Sequence, residues 1–503
     1  MSGLFLFLIS IVPVVWLFLA FCAFRLPGHV ACPCGLLITA LLAYSLLGTP
    51  ATALFGAALD GLVFALWPIL LAVVAATVLY KYSVATGGME TIKAMLISVS
   101  PDKRILVLIL AWGFGGFLEG IAGFGVPVLI PGSILVSLGF SPMLSIVACL
   151  VANSVPTPYA MIGIPALTLS GVTGLDANLI AFNVAAQLFI PCLILPFFLV
   201  MLVGGGVRAV KGVGLITFIS GLSFALPLLL VARFVGPELP TLLGSICSIA
   251  CVALSSKRLY RNDAHNKAYQ LSLRGSEGAI GPALPQGPAL SPANVVSPLQ
   301  AFLPFVLVFL LVIVSNAVYS ITPGLLIFAA VLLSCLIQGK IPGKRFSLLP
   351  AIIVSTLLES KKMAATVITI IAMAKIMDRS GMTEAIAAML IAVFSVFFPL
   401  VAPVIGMLGT FITGSDTTCC ILFGSLQASA ARAIGVDAAW VASSNLSAAA
   451  AGKMISPQSV AIGLRIGGLD GKEGEIIRQA IKYALLCTGI ISLVAYGRVL
   501  FFG

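Results

Sequence analysis

The run Gly115-Gly116-Phe117-Leu118-Glu119-Gly120-Ile121-Ala122-Gly123-Phe124-Gly125-Val126-Pro127 sets a carboxylate, five glycines and a proline among residues otherwise apolar enough to lie in lipid. Glycine costs about 1 kcal/mol in a helix interior and proline about 3, and an acid at the centre of a span costs about 2.5–3.5 kcal/mol. Backbone broken at membrane depth is tolerated only where it is buried in protein or lines a cavity. The stretch therefore predicts a site rather than an ordinary spanning helix.

Of the 503 residues 60% are hydrophobic and 9% charged, too little polar surface to enclose a water-soluble globule. The chain reads as an all-α polytopic membrane protein embedded in the lipid bilayer. Its start, Met1-Ser2-Gly3-Leu4-Phe5, lacks the basic region of a cleavable signal and runs into an apolar stretch to Phe24, which predicts a retained first span. Cysteines such as Cys149, Cys192, Cys335 and Cys487 lie in apolar runs and read as small core residues. Cys32-Pro33-Cys34 and Cys419-Cys420 lack the spacing of a metal site, and the histidines are His29 and His265 alone, so neither a metal nor a cofactor is expected. The net charge of +11 reports basic cytoplasmic loops rather than a nucleic-acid partner.

Spans of about 20 apolar residues fall near 4–24, 34–50, 62–80, 142–165, 178–203, 213–235, 239–256, 301–320, 322–338, 363–378, 438–457 and 478–500. Residues 105–138 and 391–434 are each too long for one span and are interrupted by Gly and polar residues. Both read as re-entrant helical hairpins, with two full spans apiece the alternative. This layout of about 12 spans and two hairpins gathers Lys81, Lys93, Lys103, Arg104, Arg208, Lys211, Lys257, Arg258, Lys340, Lys361, Lys362, Arg478 and Lys482 on one side, as the cytoplasmic bias of Lys and Arg requires. Both termini then face outward. The proline-rich stretch 257–300 reads as a flexible cytoplasmic linker.

The two halves resemble each other at an offset near 290. Gly35-Leu36-Leu37-Ile38 faces Gly324-Leu325-Leu326-Ile327, Thr86-Gly87-Gly88-Met89 faces Arg379-Ser380-Gly381-Met382, and Asn153 with Gly163-Ile164-Pro165 faces Asn445 with Ile455-Ser456-Pro457. The stretch around Glu119 faces Gly409-Thr410-Phe411-Ile412-Thr413-Gly414-Ser415-Asp416. The division expected is 1–205 as a first repeat, 206–256 as two linking spans, the linker, and 301–503 as a second repeat inverted in the membrane. Inverted repeats with discontinuous helices are the layout of secondary transporters, whose site lies near the midplane at the repeat interface.

Broken helices leave N–H groups unpaired at their N-termini, and glycines let a ligand approach that backbone. The half-helices starting near Val126 and Thr417 are thus candidates to hold an anion, with Gly120, Gly123, Gly125, Gly414, Ser415 and Thr418 around them. Close helix packing is the alternative use of such small residues. Glu119 and Asp416 occupy equivalent places, and an acid within a membrane is a candidate proton relay or a structural cap. Asn153-Ser154 and Asn445 could hydrogen-bond a ligand or a neighbouring helix. Lys453 could neutralise a bound anion, pair with Asp416 or snorkel to the surface. An intramembrane hydrolase would need a nucleophile and base together, and both histidines fall in loops.

The stretches Phe117 to Val128 and Phe411 to Thr417, together with Leu66-Trp67-Pro68-Ile69, Gly236-Pro237-Glu238-Leu239-Pro240 and Met454-Ile455-Ser456-Pro457-Gln458-Ser459, resemble the signatures of the bacterial L-lactate permease family. The resemblance implies proton-coupled uptake of a small 2-hydroxymonocarboxylate anion across the bacterial inner membrane. The ligand would then sit at the two tips and on Asn153 and Asn445, with Glu119 first and Asp416 second as carriers of the proton. The chain departs from the pattern at Val126, at Thr418-Cys419-Cys420 and at Lys375 and Asp378. A sodium-coupled carrier of another organic anion is the alternative, and a homodimer is a possible assembly.

Overall fold

The computed structural model describes residues 3–24, 26–123, 125–260, 264–270, 296–318, 323–338, 345–464, 466, 469 and 471–502. Among these the chain is helical throughout and holds no strand, only an isolated bridge between Asp102 and Gln270. Lone polar groups are absorbed locally, as where Thr39 donates to the Gly35 carbonyl at 2.7 Å and Thr217 to that of Val213 at 2.9 Å. Hydroxyls bonded back to their own helix can lie in lipid or in a dry core.

Nine described helices are long and apolar enough to cross a membrane, or up to ten if the bent pair Pro142–Ala152 and Thr157–Thr173 counts as one span. Twelve were expected. In the second half the expected spans 301–320 and 322–338 correspond to the helices Pro298–Val318, of 21 residues, and Pro323–Gln338, of 16. The expected span 363–378 belongs to Lys361–Arg379, which carries Lys361, Lys362, Lys375, Asp378 and Arg379, and Ala438–Lys453 has 16 residues. Conversely, Lys103–Ile121 and the 32-residue Met382–Thr413 each pass alone. Residues 261–263 and 271–295 of the expected linker lie outside the described residues.

Lys103–Ile121 is the centre of the molecule, buried along its whole length. Its glycines let neighbours come close: a Cβ on Gly113 would stand 2.5 Å from Ile249, and one on Gly116 2.7 Å from the Ser245 hydroxyl. Trp112 packs on Phe224 at 5.0 Å and Phe117 on Phe305 at 5.0 Å. Peripheral helices instead expose large apolar side chains, such as Leu37, Leu41 and Phe55, the surface that a lipid-facing helix needs. In the second half small residues bring backbones together, Gly406 meeting the Asn445 backbone and Gly452 that of Met407.

The foot of the central helix is pinned by a buried charge. Arg104, expected in an open basic loop, is fully buried. It donates to Asp102 at 2.7 and 3.0 Å, to the Ala209 carbonyl at 2.9 Å and to Asn266 at 2.8 Å. The Tyr269 ring lies 3.9 Å from its guanidinium carbon. A buried arginine is tolerable when its donors are met in this way.

Candidate functional site

Two breaks in the helical backbone meet in the interior. After Ile121 the chain turns through Gly123 (φ +56°) and Gly125 (φ +82°) into Val126–Ser137. These left-handed conformations suit glycine alone. The second break follows Thr413, with Gly414 at φ +69° and Ser415 extended, and the Asp416–Ala433 helix begins there. Ser415 caps that helix, its hydroxyl accepting from the Thr418 amide at 3.2 Å, while its carbonyl takes the Cys419 amide at 2.9 Å. At the first break the Val126 amide donates to the Gly123 carbonyl at 3.0 Å and that of Val128 to Gly125 at 3.1 Å, while Pro127 has no N–H. Those two amides are bonded within the tip, and a side chain adds a full positive charge beside it.

That side chain is Lys453. Its ammonium donates to Glu119 Oε1 at 2.7 Å, and Asn153 Nδ2 donates to Glu119 Oε2 at 3.1 Å. Glu119 is fully buried. The groups come from three elements: Glu119 near the end of the central helix, Asn153 just past Pro142–Ala152, and Lys453 at the last turn of Ala438–Lys453. Asp416, 3% exposed, has Lys453 and Glu119 as its charged neighbours, with Thr157 and Thr410 beside it, and neither of its oxygens accepts a hydrogen bond. Asn153 Oδ1 is likewise buried and unpartnered. Beside these groups lies a cavity of about 10 Å³, lined by Gly125, Val128, Leu150, Asn153, Ser154, Lys453 and Ser459.

Other expected residues go elsewhere. Asn445 accepts from Gln427 at 2.8 Å and lies against Cys419, tying two helices of the second half together rather than facing Glu119. Gly120 packs on Leu242 and Thr241, and Ser154 lines the cavity while its hydroxyl bonds Val151 at 2.8 Å. Thr417 is half-buried one residue past Asp416 and Val126 half-buried at the start of its helix, both outside the cavity lining. Lys375 donates to the Gly171 carbonyl at 3.3 Å, away from the centre.

The family model for L-lactate permease matches residues 6–321 and 316–502. The chain belongs to the L-lactate permease family. It is 39% identical to the L-lactate permease of Streptococcus iniae, over 86% of this chain and 93% of that protein. It is 32% identical to the glycolate permease GlcA of Escherichia coli K12, over 97% and 94%, and 29% identical to the L-lactate permease of Bacillus subtilis, over 97% and 95%. A permease is a carrier and not an enzyme.

In this member of the L-lactate permease family the polar centre also involves residues that sequence reasoning passed over. Ser459 sits in the motif that carried the resemblance, so a signal for it existed. Val128 and Leu150 looked like any other apolar residues. Met161 (φ +48°) and Ile162 (φ +59°) are left-handed without being glycine, ahead of Gly163 at +81°. A Cβ on Gly163 would stand 2.5 Å from the Pro237 carbonyl, and one on Gly123 2.8 Å from the Met161 side chain. The loop holding Glu238 thus buttresses a strained turn that in turn backs the first tip. Strain of this kind costs about 1–3 kcal/mol per residue and persists where its surroundings over-determine it.

Proposed function

We propose that this chain is a secondary active carrier that takes up a small 2-hydroxymonocarboxylate, L-lactate, D-lactate or glycolate, together with a proton, across the bacterial inner membrane. The names of its relatives, L-lactate permease and glycolate permease, support the substrate class. The observation that carries the mechanism is the 2.7 Å Lys453–Glu119 pair beside the unpartnered carboxylate of Asp416. A lysine ammonium has three donors, so Lys453 can hold Glu119 and a ligand carboxylate together, with Asn153 Oδ1 accepting from the 2-hydroxyl. With both acids ionised, one lysine leaves the centre one charge negative, and an added anion repels it strongly where the dielectric is low. A proton on Asp416 restores the balance, so anion and proton favour each other's binding. Glu119, engaged by Lys453 and Asn153, is then the positioning acid and Asp416 the proton carrier.

The same reading takes the broken helices 105–138 and 391–434 as re-entrant hairpins of two inverted repeats, 1–205 and 301–503, joined through 206–256 and 257–300, with both termini outward. Its support is the pairing of the breaks and a further match, since Gly87 and Gly381 are each left-handed between two helices.

Reconstituted in liposomes with an inward proton gradient, the protein should accumulate labelled lactate or glycolate, and Asp416→Asn should exchange the anion without accumulating it. Uptake that ignores the proton gradient, or that stops when choline replaces sodium, would refute proton coupling.

A further inference from the structure

We propose that Val128 and Leu150 read the substituent on the second carbon of the ligand, and so set whether the carrier prefers a hydrogen, a methyl or a longer chain there. The inference rests on the function proposed above and goes past it, from substrate class to selectivity.

The cavity beside Lys453 is lined by two kinds of group: Asn153, Ser154, Lys453 and Ser459 are polar, and Val128 and Leu150 are apolar. Leu150 lies in the last turn of Pro142–Ala152, and Asn153 and Ser154 follow directly past its end, so the segment that brings the amide to the cavity also brings a leucine. Gly125 and Val128 are three apart, and the left-handed glycine points the start of Val126–Ser137 at the same space. Both apolar side chains are 2% exposed.

A 2-hydroxymonocarboxylate needs the same two kinds of group: its carboxylate and hydroxyl need the charged and amide groups, which leaves Val128 and Leu150 for the second-carbon substituent. That substituent is all that separates glycolate from lactate. A β-branched valine has essentially one rotamer in a helix, so the wall is stiff and its position is a size limit. One methylene in an apolar pocket changes selection by about 10–200-fold, enough to separate these substrates.

The test is uptake by proteoliposomes of labelled glycolate, L-lactate and 2-hydroxybutyrate, expressed as ratios within each protein so that yield cancels. Val128→Ala should raise 2-hydroxybutyrate relative to lactate about tenfold, and Val128→Leu should lower lactate relative to glycolate about tenfold, the low end of the range for one methylene. Leu150→Val serves as a third variant where either fails to assemble, with the first of these shifts expected. Ratios equal to wild type in the variants that assemble overturn the inference while leaving the carrier function standing. Wild-type protein that takes up neither glycolate nor lactate overturns the parent reading and this one with it.

Discussion

At the scale of the residue, Lys453 is the group on which the buried centre depends. Removing one partner of a buried ion pair costs about 3–5 kcal/mol, because the other is left uncompensated. Lys453→Met should therefore lower the thermal unfolding midpoint clearly, and Glu119→Gln added to it should recover most of that loss while uptake stays absent in both. If the single variant melts with wild type, the pair contributes no stability. Glu238 gives a pH dependence of its own. Burial pushes its carboxyl up from the usual 4.5 to about 7, and its Oε2 is buried without a hydrogen bond. The folded protein thus favours the neutral acid, a contribution that is full below the unfolded value and is lost as pH rises through about 7. The midpoint should fall between about pH 5 and pH 8, and fall less in Glu238→Gln, when followed by intrinsic fluorescence. Sequence alone marked both Glu119 and Asp416, because an acid stands out in apolar surroundings. It left Lys453 between three uses, since a partner 334 residues away leaves no local trace.

At the scale of the element, the breaks were legible because only glycine, proline and short polar residues make them, and both lie where Gly123–Pro127 and Gly414–Ser415 said they would. Their use was less legible. An unpaired helix N-terminus was the expected anion site; whether its amides stay free depends on the turn before it, and at the first tip the Val126 and Val128 amides bond the Gly123 and Gly125 carbonyls. The left-handed turn at Met161 left almost no signature, since two of its three residues are ordinary apolar side chains. Gly163 is its one marker, and there a substitution should tell. Gly163→Ala puts a Cβ 2.5 Å from the Pro237 carbonyl at φ +81°, a conformation that by itself costs about 1–2 kcal/mol for an alanine. A drop in unfolding midpoint larger than that of Gly174→Ala, where φ is +70° and nothing lies within 4 Å, is the expected result. Equal drops would mean that the Pro237 buttress gives way.

At the scale of the whole molecule, hydropathy identified the membrane class, and among the described residues nine helices, or ten with the bent pair, are long and apolar enough to span where twelve spans were expected. Lys361–Arg379 carries Lys361, Lys362 and Arg379 exposed at its two ends, while Lys375 donates to the Gly171 carbonyl and Asp378 accepts from Thr383 and Ser425. The single unpartnered acid at the centre has a consequence at this scale. If Asp416 takes the proton as proposed, with Glu119 held by Lys453, one proton would enter with each monoanion and the loaded site would have the same charge as the empty one. A full transport cycle then moves no net charge and takes nothing from the membrane voltage, which would otherwise supply about 2.3 kcal/mol per charge for every 100 mV. Clamping the liposomes with valinomycin and potassium at opposite voltages should leave substrate accumulation at a fixed pH difference unchanged. A cell using such a carrier would draw on its acidity gradient alone, and would lose uptake in alkaline surroundings even while fully energised.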